Sequence, residues 1–422
     1  MDVVIDLGVV RDAPEADWRS PPVRPRTRRW IAAAAAVAAV LAAGAAEPVR
    51  GRLVEMTVPV VAARAFAGPG GLYLIDGDTI SKYEVPGGRI GWRVSVPQKG
   101  RAQTAFMVGE MLLIMADQFD SRTVAIDGET GEERWRRAGV PVFMGDDEDM
   151  AVLIDRRPGT ASVRYEAVEI ATGAVLWELT GDEGDEVFSG TGRFVRWSLP
   201  DRVEVRDLGT GRVLTIGTVQ PPADGGPGLS GDWDRRVVGD LLLVARYRDG
   251  KPVAEAYDLE RLVPRWTADI DLTLEQVADC GDLLCVDHST GARVLEADTG
   301  RVRWSRDQPG LLERVGPVIL SYDHSQQPAR IRTLDLADGH VRADLGPWEI
   351  GWGHDDDGRV MATQTAREGG SWIAEIDLIE GRVRILGVTH DAFECQPGRV
   401  VICKRLDGTI GVWYPTGLTG EP

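Results

Sequence analysis

Beyond residue 60 the chain is a succession of short apolar or alternating runs separated by turns. Met111–Met115 (MLLIM) is continuously apolar, and an alternating run, Thr123–Ile126, follows it. Outside residues 30–46, no stretch has the three-to-four-residue spacing of apolar positions that marks an amphipathic helix. The pattern therefore predicts short β-strands arranged as meanders, and it excludes helical solenoids and α/β enzymes.

One phrase recurs along this part of the chain: an acidic residue, a glycine four positions later and a tryptophan eight positions later. Its fullest copies are Ala125–Trp135, Ala167–Trp177 and Val294–Trp304. The acidic position is held by Glu84, Asp127, Glu169, Asp207, Asp258, Glu296, Asp335 and Asp377. The tryptophan position is held by Trp92, Trp135, Trp177, Trp266 and Trp304, with Thr215, Ala343 and Ile385 in degenerate copies.

The acidic positions are separated by 43, 42, 38, 51, 38, 39 and 42 residues, which gives a period of about 41. A truncated copy follows, in which Trp413 stands at the acidic position, 36 residues further on. In the sequence Asp-x-x-Thr-Gly the glycine tolerates a positive φ, and the acidic side chain accepts hydrogen bonds from turn amides. We therefore interpret the acids as turn residues and the tryptophans as side chains that fill the space between repeated units.

Four-stranded units of 40 to 45 residues are typical of propeller blades, which bury their faces by stacking on one another. The sequence therefore predicts an all-β fold, a β-propeller of four-stranded blades over residues 47–422. Eight full phrases and a ninth half leave the number of blades at eight, or possibly nine. Because the last unit lacks its final strand, we expect Leu53–Val61 to complete it and close the ring. The 51-residue spacing is explained by a proline- and glycine-rich rim loop, Val219–Asp232.

A hydrophobic segment precedes the propeller. Trp30–Ala46 is free of charge over 17 residues, which is at the short end of what spans a bilayer as a helix. Four arginines lie in Arg24–Arg29, and Glu47 follows the segment, so the positive-inside rule leaves residues 1–29 as a cytoplasmic tail. We expect 30–46 to be a single transmembrane helix or signal anchor, with 47–422 on the extracytoplasmic side. A cleaved signal peptide is the alternative, because Ala43–Ala45 fits a cleavage site.

The four cysteines fall into two local pairs, Cys280 with Cys285 and Cys395 with Cys403, each inside a predicted hairpin. Local disulfides fit an oxidising compartment outside the cytoplasm. A zinc site is the competing interpretation, but the spacings C-x4-C and C-x7-C are not those of zinc knuckles. We therefore predict two disulfides and no metal ligands.

The net charge and the composition limit the classes of partner that the protein is expected to bind. The chain has 48 basic and 66 acidic side chains and a net charge of -18, which opposes binding to a nucleic-acid backbone or an anionic membrane surface. Only four lysines occur beside 44 arginines, and asparagine is absent. This bias is typical of a GC-rich bacterial genome.

Two kinds of side-chain cluster suggest a functional site, namely calcium binding by acidic clusters and acid–base catalysis by Asp-His-Ser triplets. The alternative is that both are ordinary polar turn residues. Asp146–Asp149 and Asp355–Asp357 are acidic, but neither has the 12-residue loop with a distal glutamate that calcium sites use. The triplet Asp-His-Ser occurs at Asp287–Ser289 and at Asp323–Ser325. Because consecutive strand residues point to opposite faces, these acids and histidines are not expected to act as pairs. We predict no catalytic, cofactor-binding or metal-binding residue.

The recurring phrase resembles that of the pyrroloquinoline-quinone-like propeller repeat family, A-x-D-x-x-T-G-x-x-x-W. Ala125–Trp135 and Val294–Trp304 are the nearest copies, and the resemblance extends over about residues 60–417. The family contains quinone- and calcium-binding dehydrogenases, and also the lipid-anchored propeller of the outer-membrane barrel assembly machine, which binds proteins and catalyses nothing. The resemblance therefore implies the fold but leaves the function open.

The dehydrogenases of this family use an adjacent pair of cysteines against the quinone and an asparagine among the calcium ligands. This chain has neither, so we expect no cofactor. We predict a non-catalytic scaffold that binds an unidentified protein partner in the bacterial cell envelope. A quinone-dependent oxidoreductase, or a propeller with a retained small-ligand site, is the alternative.

Overall fold

The computed structural model describes most of the chain beyond residue 52. The described residues are 53–59, 64–68, 71–85, 87–96, 104–115, 122–144, 149–156, 159–190, 192–198, 200–220, 234–325, 327–351, 358–366, 370–398 and 400–415. Arg50–Pro422 forms one compact unit. The predicted cytoplasmic tail and the hydrophobic segment Trp30–Ala46 lie outside the described residues, as does most of the predicted rim loop. No helix that is long and apolar enough to cross a membrane occurs among the residues described.

The described residues form nine antiparallel sheets of four strands each. We number the sheets as blades I to IX in chain order. Blades I to III comprise β2 (Arg64–Gly68), β3 (Gly71–Asp76), β4 (Thr79–Tyr83), β5 (Ile90–Ser95); β6 (Thr104–Val108), β7 (Met111–Met115), β8 (Arg122–Asp127), β9 (Glu133–Ala138); and β10 (Val140–Met144), β11 (Met150–Arg156), β12 (Ser162–Glu169), β13 (Val175–Asp182).

Blades IV to VI comprise β14 (Glu186–Gly190), β15 (Arg193–Ser198), β16 (Arg202–Asp207), β17 (Val213–Thr218); β18 (Arg235–Val238), β19 (Leu241–Arg248), β20 (Lys251–Asp258), β21 (Pro264–Ala268); and β22 (Gln276–Asp279), β23 (Leu283–His288), β24 (Gly291–Glu296), β25 (Val302–Arg306). Blades VII to IX comprise β26 (Leu311–Val315), β27 (Val318–Asp323), β28 (Arg330–Asp335), β29 (Val341–Pro347); β30 (Glu349–Ile350), β31 (Arg359–Thr365), β32 (Ser371–Asp377), β33 (Arg382–Thr389); and β34 (Ala392–Pro397), β35 (Val401–Arg405), β36 (Ile410–Pro415) with β1 (Leu53–Val58).

The core consists of nine hydrophobic clusters, each between two successive blades. The ninth cluster joins blade IX to blade I, where Val412 and Tyr414 pack with Leu72 and Leu74. The second strands, such as β7, are buried on both faces, which explains why they read as continuous apolar runs. The ring is therefore closed with nine blades, so the larger of the two predicted numbers is correct.

The ring is closed in the way that the incomplete last repeat of the sequence led us to expect. β1 pairs antiparallel with β36, with Leu53 opposite Pro415 and Val58 opposite Ile410. It is the outermost strand of blade IX, whose other three strands come from the end of the chain. The prediction that a strand from the start of the chain closes the ring is confirmed, with the strand ending at Val58 rather than Val61.

Each tryptophan of the phrase lies on an outermost strand and packs on the glycine of the next blade's phrase. A Cβ atom on Gly173 would lie 2.4 Å from Trp135 Cγ, so only glycine leaves room for the ring. The Trp135 indole N–H also donates to the carbonyl of Ile170, which follows the acidic residue of that next blade. The same donation joins Trp92 to Gly128, Trp177 to Leu208, Trp266 to Ala297 and Trp304 to Leu336. The phrase thus couples neighbouring blades.

The junction of blades IV and V reverses this arrangement of large and small residues. Thr215 stands in the tryptophan position, and its hydroxyl donates to the Glu260 carbonyl. In the glycine position of blade V stands Leu262, which is buried and keeps a φ of 53°. A Cβ atom on Gly217 would lie 3.0 Å from Leu262 Cδ1, so the leucine packs against the outer strand from the other side. Leucine in the left-handed region is strained, and burial of its side chain offsets that strain.

The acidic residues of the phrase organise the turns that carry the glycines. Asp127 Oδ1 accepts from the amides of Glu129 and Thr130 at 3.0 and 2.8 Å, and Asp127 Oδ2 accepts from Arg134 at 2.7 Å. These bonds, with Arg134 contributing most, lower the pKa of Asp127 to about 2. Amides of the same turn donate to the side chains of Asp207, Asp258, Asp335 and Asp377 in their own blades.

Both predicted disulfides are present. Cys280–Cys285 and Cys395–Cys403 each connect the first and second strands of a blade, blades VI and IX respectively. Cys280, Cys285 and Cys403 are buried in hydrophobic clusters between blades. Both second cysteines are the third residue of a second strand, whereas Cys280 directly follows β22 and Cys395 lies within β34.

Candidate binding site at the mouth of the central channel

The first strand of each blade faces the axis of the ring, because neighbouring first strands contact one another, as β14 does β18 and β18 does β22. In an antiparallel meander the first strand begins at the end of the blade where the second strand ends. Residues at these two positions, taken from different blades, therefore meet at one end of the channel. We call the cavity at this end, over blades III to VI, the channel mouth.

The channel mouth encloses about 510 Å³. Much of its wall is apolar, and charged side chains lie among these apolar residues. Its lining residues are Val142, Ile154, Arg156, Asp185, Glu186, Val187, Phe188, Ser189, Arg235, Arg236, Val237, Val238 and Val277. A cavity of this size with an apolar wall and a few oriented polar groups has the composition of a binding site.

Arg235, the first residue of β18, is held by three groups. Its guanidinium lies 3.1 Å from Glu186 and 3.0 Å from Asp234. Its central carbon lies 4.6 Å from the centre of the Trp197 ring, which is fully buried. The Arg235 side chain is 8% exposed, so these contacts are only weakly screened by water. Arg235 is thus fixed in place before any partner arrives.

A second ion pair network supports the wall behind it. Arg196 lies 2.8 Å from Glu204 and 3.7 Å from Asp185; both carboxylates are buried, and the Arg196 side chain is 13% exposed. Arg206 donates to the other oxygen of Glu204. The Asp185 carboxylate also accepts from the amide of Asp182 at 3.1 Å. Buried charges of this kind are retained only where each has a partner, so the network holds the start of β14 in position.

Arg236 and Arg156 differ from Arg235, because neither forms an ion pair within 4 Å with a carboxylate among the described residues. Arg236 donates to the carbonyl of Leu272 at 3.0 Å, and burial lowers its pKa. Burial also raises the pKa of nearby Asp287 to about 6, against the opposing effect of the Arg236 charge. The channel mouth therefore offers two guanidinium groups that are available to a partner.

The two Asp-His-Ser triplets have different surroundings despite their identical sequence. Asp287 is desolvated, whereas the pKa of Asp323 is lowered, first of all by the Ser325 hydroxyl. His288 Nδ1 lies 2.9 Å from the Thr290 hydroxyl, and the ring of His324 stacks on Tyr322. Within the described part of the chain, neither histidine forms a hydrogen bond with its neighbouring aspartate, as expected for Asp287 and His288, which are consecutive residues of β23.

Residues 145–148 and 352–357, which contain most of the two acidic clusters, lie outside the described residues. Within the described ranges, no group of three or more His, Cys, Asp or Glu side chains is arranged to hold a metal ion.

The residues present do not fit a bound quinone of the dehydrogenase type. Both disulfides connect the first two strands of their blades, and no cysteine is among the residues that line the channel mouth. Each joins cysteines five or eight positions apart on neighbouring strands, so neither presents an adjacent pair to a planar ligand. We derive no chemistry through such a cofactor.

Sequence reasoning missed Arg235, Arg236 and Asp185 as site residues. A signal was available, because charged residues stand immediately before or at the start of strands that are otherwise apolar, as in Asp234–Val238 (DRRVV). That signal does not reveal that the starts of β14 and β18 meet. Only the ring places them together.

The nine four-stranded blades and the recurring phrase of acid, glycine and tryptophan place the chain in the class of pyrroloquinoline-quinone-like propellers. The family model described as outer membrane protein assembly factor BamB matches residues 76–305, more than half of the chain. The chain therefore belongs to the BamB family. No curated protein matches the sequence.

Solved structures share the fold at low identity. The chain is similar to BamB from Moraxella catarrhalis, with 14% identity, 86% of this chain and 97% of that chain covered, and a TM-score of 0.39. It is also similar to a eukaryotic initiation factor, with 13% identity, 81% and 95% covered, and a TM-score of 0.50. A quinohemoprotein alcohol dehydrogenase from Pseudomonas putida is 12% identical, with 64% and 62% covered and a TM-score of 0.37. At these identities the likeness concerns the fold alone.

Proposed function

We propose that this protein is a non-catalytic scaffold of the bacterial cell envelope that binds a protein partner through the channel mouth. Trp30–Ala46 anchors it in the cytoplasmic membrane, and the propeller lies on the extracytoplasmic side. The observation that carries the proposal is the cavity of about 510 Å³ whose wall includes Arg235, an arginine held by ion pairs with Glu186 and Asp234. Membership of the BamB family supports a role in protein binding rather than in chemistry.

The contacts of the channel mouth favour binding over catalysis. Arg235 and Arg196 form ion pairs with carboxylates of the protein itself, so their function is to hold a rigid surface. Arg236 and Arg156 remain available to donate hydrogen bonds to carbonyl or carboxylate oxygens of a partner. Rigid surfaces of this kind bind without the entropic cost of ordering their own side chains.

The whole-chain charge of -18 constrains the partner further. A partner is expected to be neutral or basic over most of its contact surface, with any carboxylate directed at the two available arginines. Such an association weakens as salt is raised, because exposed charges are screened beyond about 10 Å at 0.1 M salt. The two disulfides support the extracytoplasmic location, since such bonds persist in oxidising compartments.

The test is crosslinking of the full-length chain in membranes, followed by quantitative identification of co-purified proteins. Arg236→Glu should reduce recovery of one specific partner at least tenfold, because it reverses a charge at the rim of the cavity. Arg330→Glu is the matched control, since Arg330 forms an exposed ion pair with Asp344 on blade VII. Equal recovery with both variants contradicts the proposal.

Two further measurements test the rest of the proposal. Reporter fusions after residue 60 should be active only with an extracytoplasmic reporter, and activity of a cytoplasmic reporter there refutes the location. Titration with pyrroloquinoline quinone and calcium should show no stoichiometric binding. Tight binding, together with dye-linked oxidation of an alcohol or sugar, would refute the scaffold proposal and identify the protein as an oxidoreductase.

A further inference from the structure

The outermost strand of each blade is an edge strand, with one row of backbone N–H and C=O groups outside its sheet. Proteins protect such edges with charged residues or proline, because an open edge pairs with other chains. Among the nine outer strands described, eight contain a charge or a proline. They are β1, β5, β9, β13, β21, β25, β29 and β33.

The exception is β17, Val213–Thr218, which reads VLTIGT. Its apolar side chains are exposed: Val213 by 39%, Leu214 by 36% and Ile216 by 52%. Within the described residues β17 pairs with β16 alone. It is therefore an edge strand that is apolar, uncharged and open.

The cause lies in the degenerate repeat of blade IV. Where five other outer strands carry a large indole, β17 has Thr215, which is bonded to the Glu260 carbonyl of the next blade. Two positions further on is Gly217, which has no side chain. A partner strand that approaches this edge thus meets only small side chains along the row that faces blade V.

We propose that β17 is a docking edge to which an extended segment of a partner polypeptide adds as a fifth, antiparallel strand of blade IV. The occupant is uncharged over about six residues and has apolar side chains at alternate positions. The inference rests on the proposed function as a protein-binding scaffold. It assigns part of the partner contact to the outer strand of blade IV rather than to the channel mouth.

Three features specify this occupant. The free row of N–H and C=O groups is satisfied only by another backbone in extended conformation. β17 has no charged residue, although the chain has a net charge of -18. A charged residue in the partner segment would find no opposite charge on β17, and its desolvation would weaken binding. The fold already contains strand addition of this kind, because β1 completes blade IX by pairing with the edge of β36.

Site-specific photocrosslinking in cells tests this inference, with a photoreactive amino acid at Leu214 in the full-length chain. Crosslinks should map to one contiguous segment of a single partner protein. Arg303 is the matched control position, since it occupies the place of Leu214 in the repeat of blade VI and is exposed on an outer strand that carries charges. Leu214 crosslinks that map to a second copy, to residues 221–233 of the same chain, or to nothing overturn the inference.

The crosslinked segment, made as a labelled peptide, then provides a defined probe. Ile216→Lys should weaken its binding at least tenfold, and Val302→Lys, at a residue of the same outer strand of blade VI that is 52% exposed, should change it less than twofold. Hydrogen exchange should slow in Val213–Thr218 when the peptide is bound. Equal binding to both variants, or unchanged exchange, overturns the inference, while melting temperature and circular dichroism verify that each variant is folded.

The two proposals fail in distinguishable ways. If Arg236→Glu removes the partner but no crosslink forms at Leu214, the scaffold stands and the docking edge is wrong. If neither substitution nor crosslink identifies a partner, both proposals are wrong.

Discussion

The packing of Trp135 on Gly173 predicts a specific energetic coupling between neighbouring blades. Trp135 is 8% exposed and donates to the Ile170 carbonyl at 2.6 Å. Trp135→Ala should therefore destabilise the propeller by about 3 to 5 kcal/mol, the range for large-to-small changes in a core. Gly173→Ala adds a Cβ atom 2.4 Å from Trp135 Cγ at a φ of 68°.

The cost of Gly173→Ala has two parts. Strain at positive φ costs about 1 kcal/mol, and overpacking against the indole costs a further ~1 to 3 kcal/mol. In the Trp135→Ala background the second part disappears, because the indole is gone. The double-mutant cycle should therefore give a coupling of about 1 to 3 kcal/mol.

The measurement is urea unfolding followed by far-UV circular dichroism on the two single variants and the double variant. The pair Trp177 and Gly211, with the same 2.4 Å approach, should repeat the result in the next junction. A coupling below about 0.5 kcal/mol for both pairs would refute the reasoning, since distant sites add within that margin.

Asp287→Asn should raise the melting temperature at pH 8 but not at pH 4.5: burial raises the folded-state pKa of Asp287 to about 6, so its ionisation above pH 6 opposes folding. Asp323→Asn should lower the melting temperature at pH 8, because the pKa of Asp323 is lowered and its ionised form supports folding at pH values above its ordinary pKa. Replacing Cys395 and Cys403 by serine should cost about 2 kcal/mol, measured by urea unfolding, since the bond closes a short loop. Leu262→Gly should destabilise by about 2 kcal/mol in the same assay, because lost burial exceeds the relieved φ strain; a gain in stability contradicts that balance.

Much of the fold is readable from the sequence because repeated blades make the same contacts at the same spacing. A glycine four positions after an acid, and a tryptophan four after that, recur because each blade meets its neighbour through the same turn. The incomplete last repeat predicts the closing strand, because the last blade lacks its fourth strand and the apolar run near the start of the chain can pair with its unpaired edge. Local cysteine pairs predict their own disulfides, because a hairpin brings such close positions together.

Other features depend on the closed ring. The number of blades was decided only by the packing of blade IX on blade I, as Val412 meets Leu72. The channel mouth combines residues from four blades, and the axis of the ring brings them together although the chain separates them. Identical triplets at Asp287 and Asp323 have opposite pKa shifts, because desolvation and hydrogen bonding are set by neighbours in space rather than in sequence. The sequence by itself determined the repeated unit and its turns, whereas the tertiary structure alone decided which charges meet and how many blades close the ring.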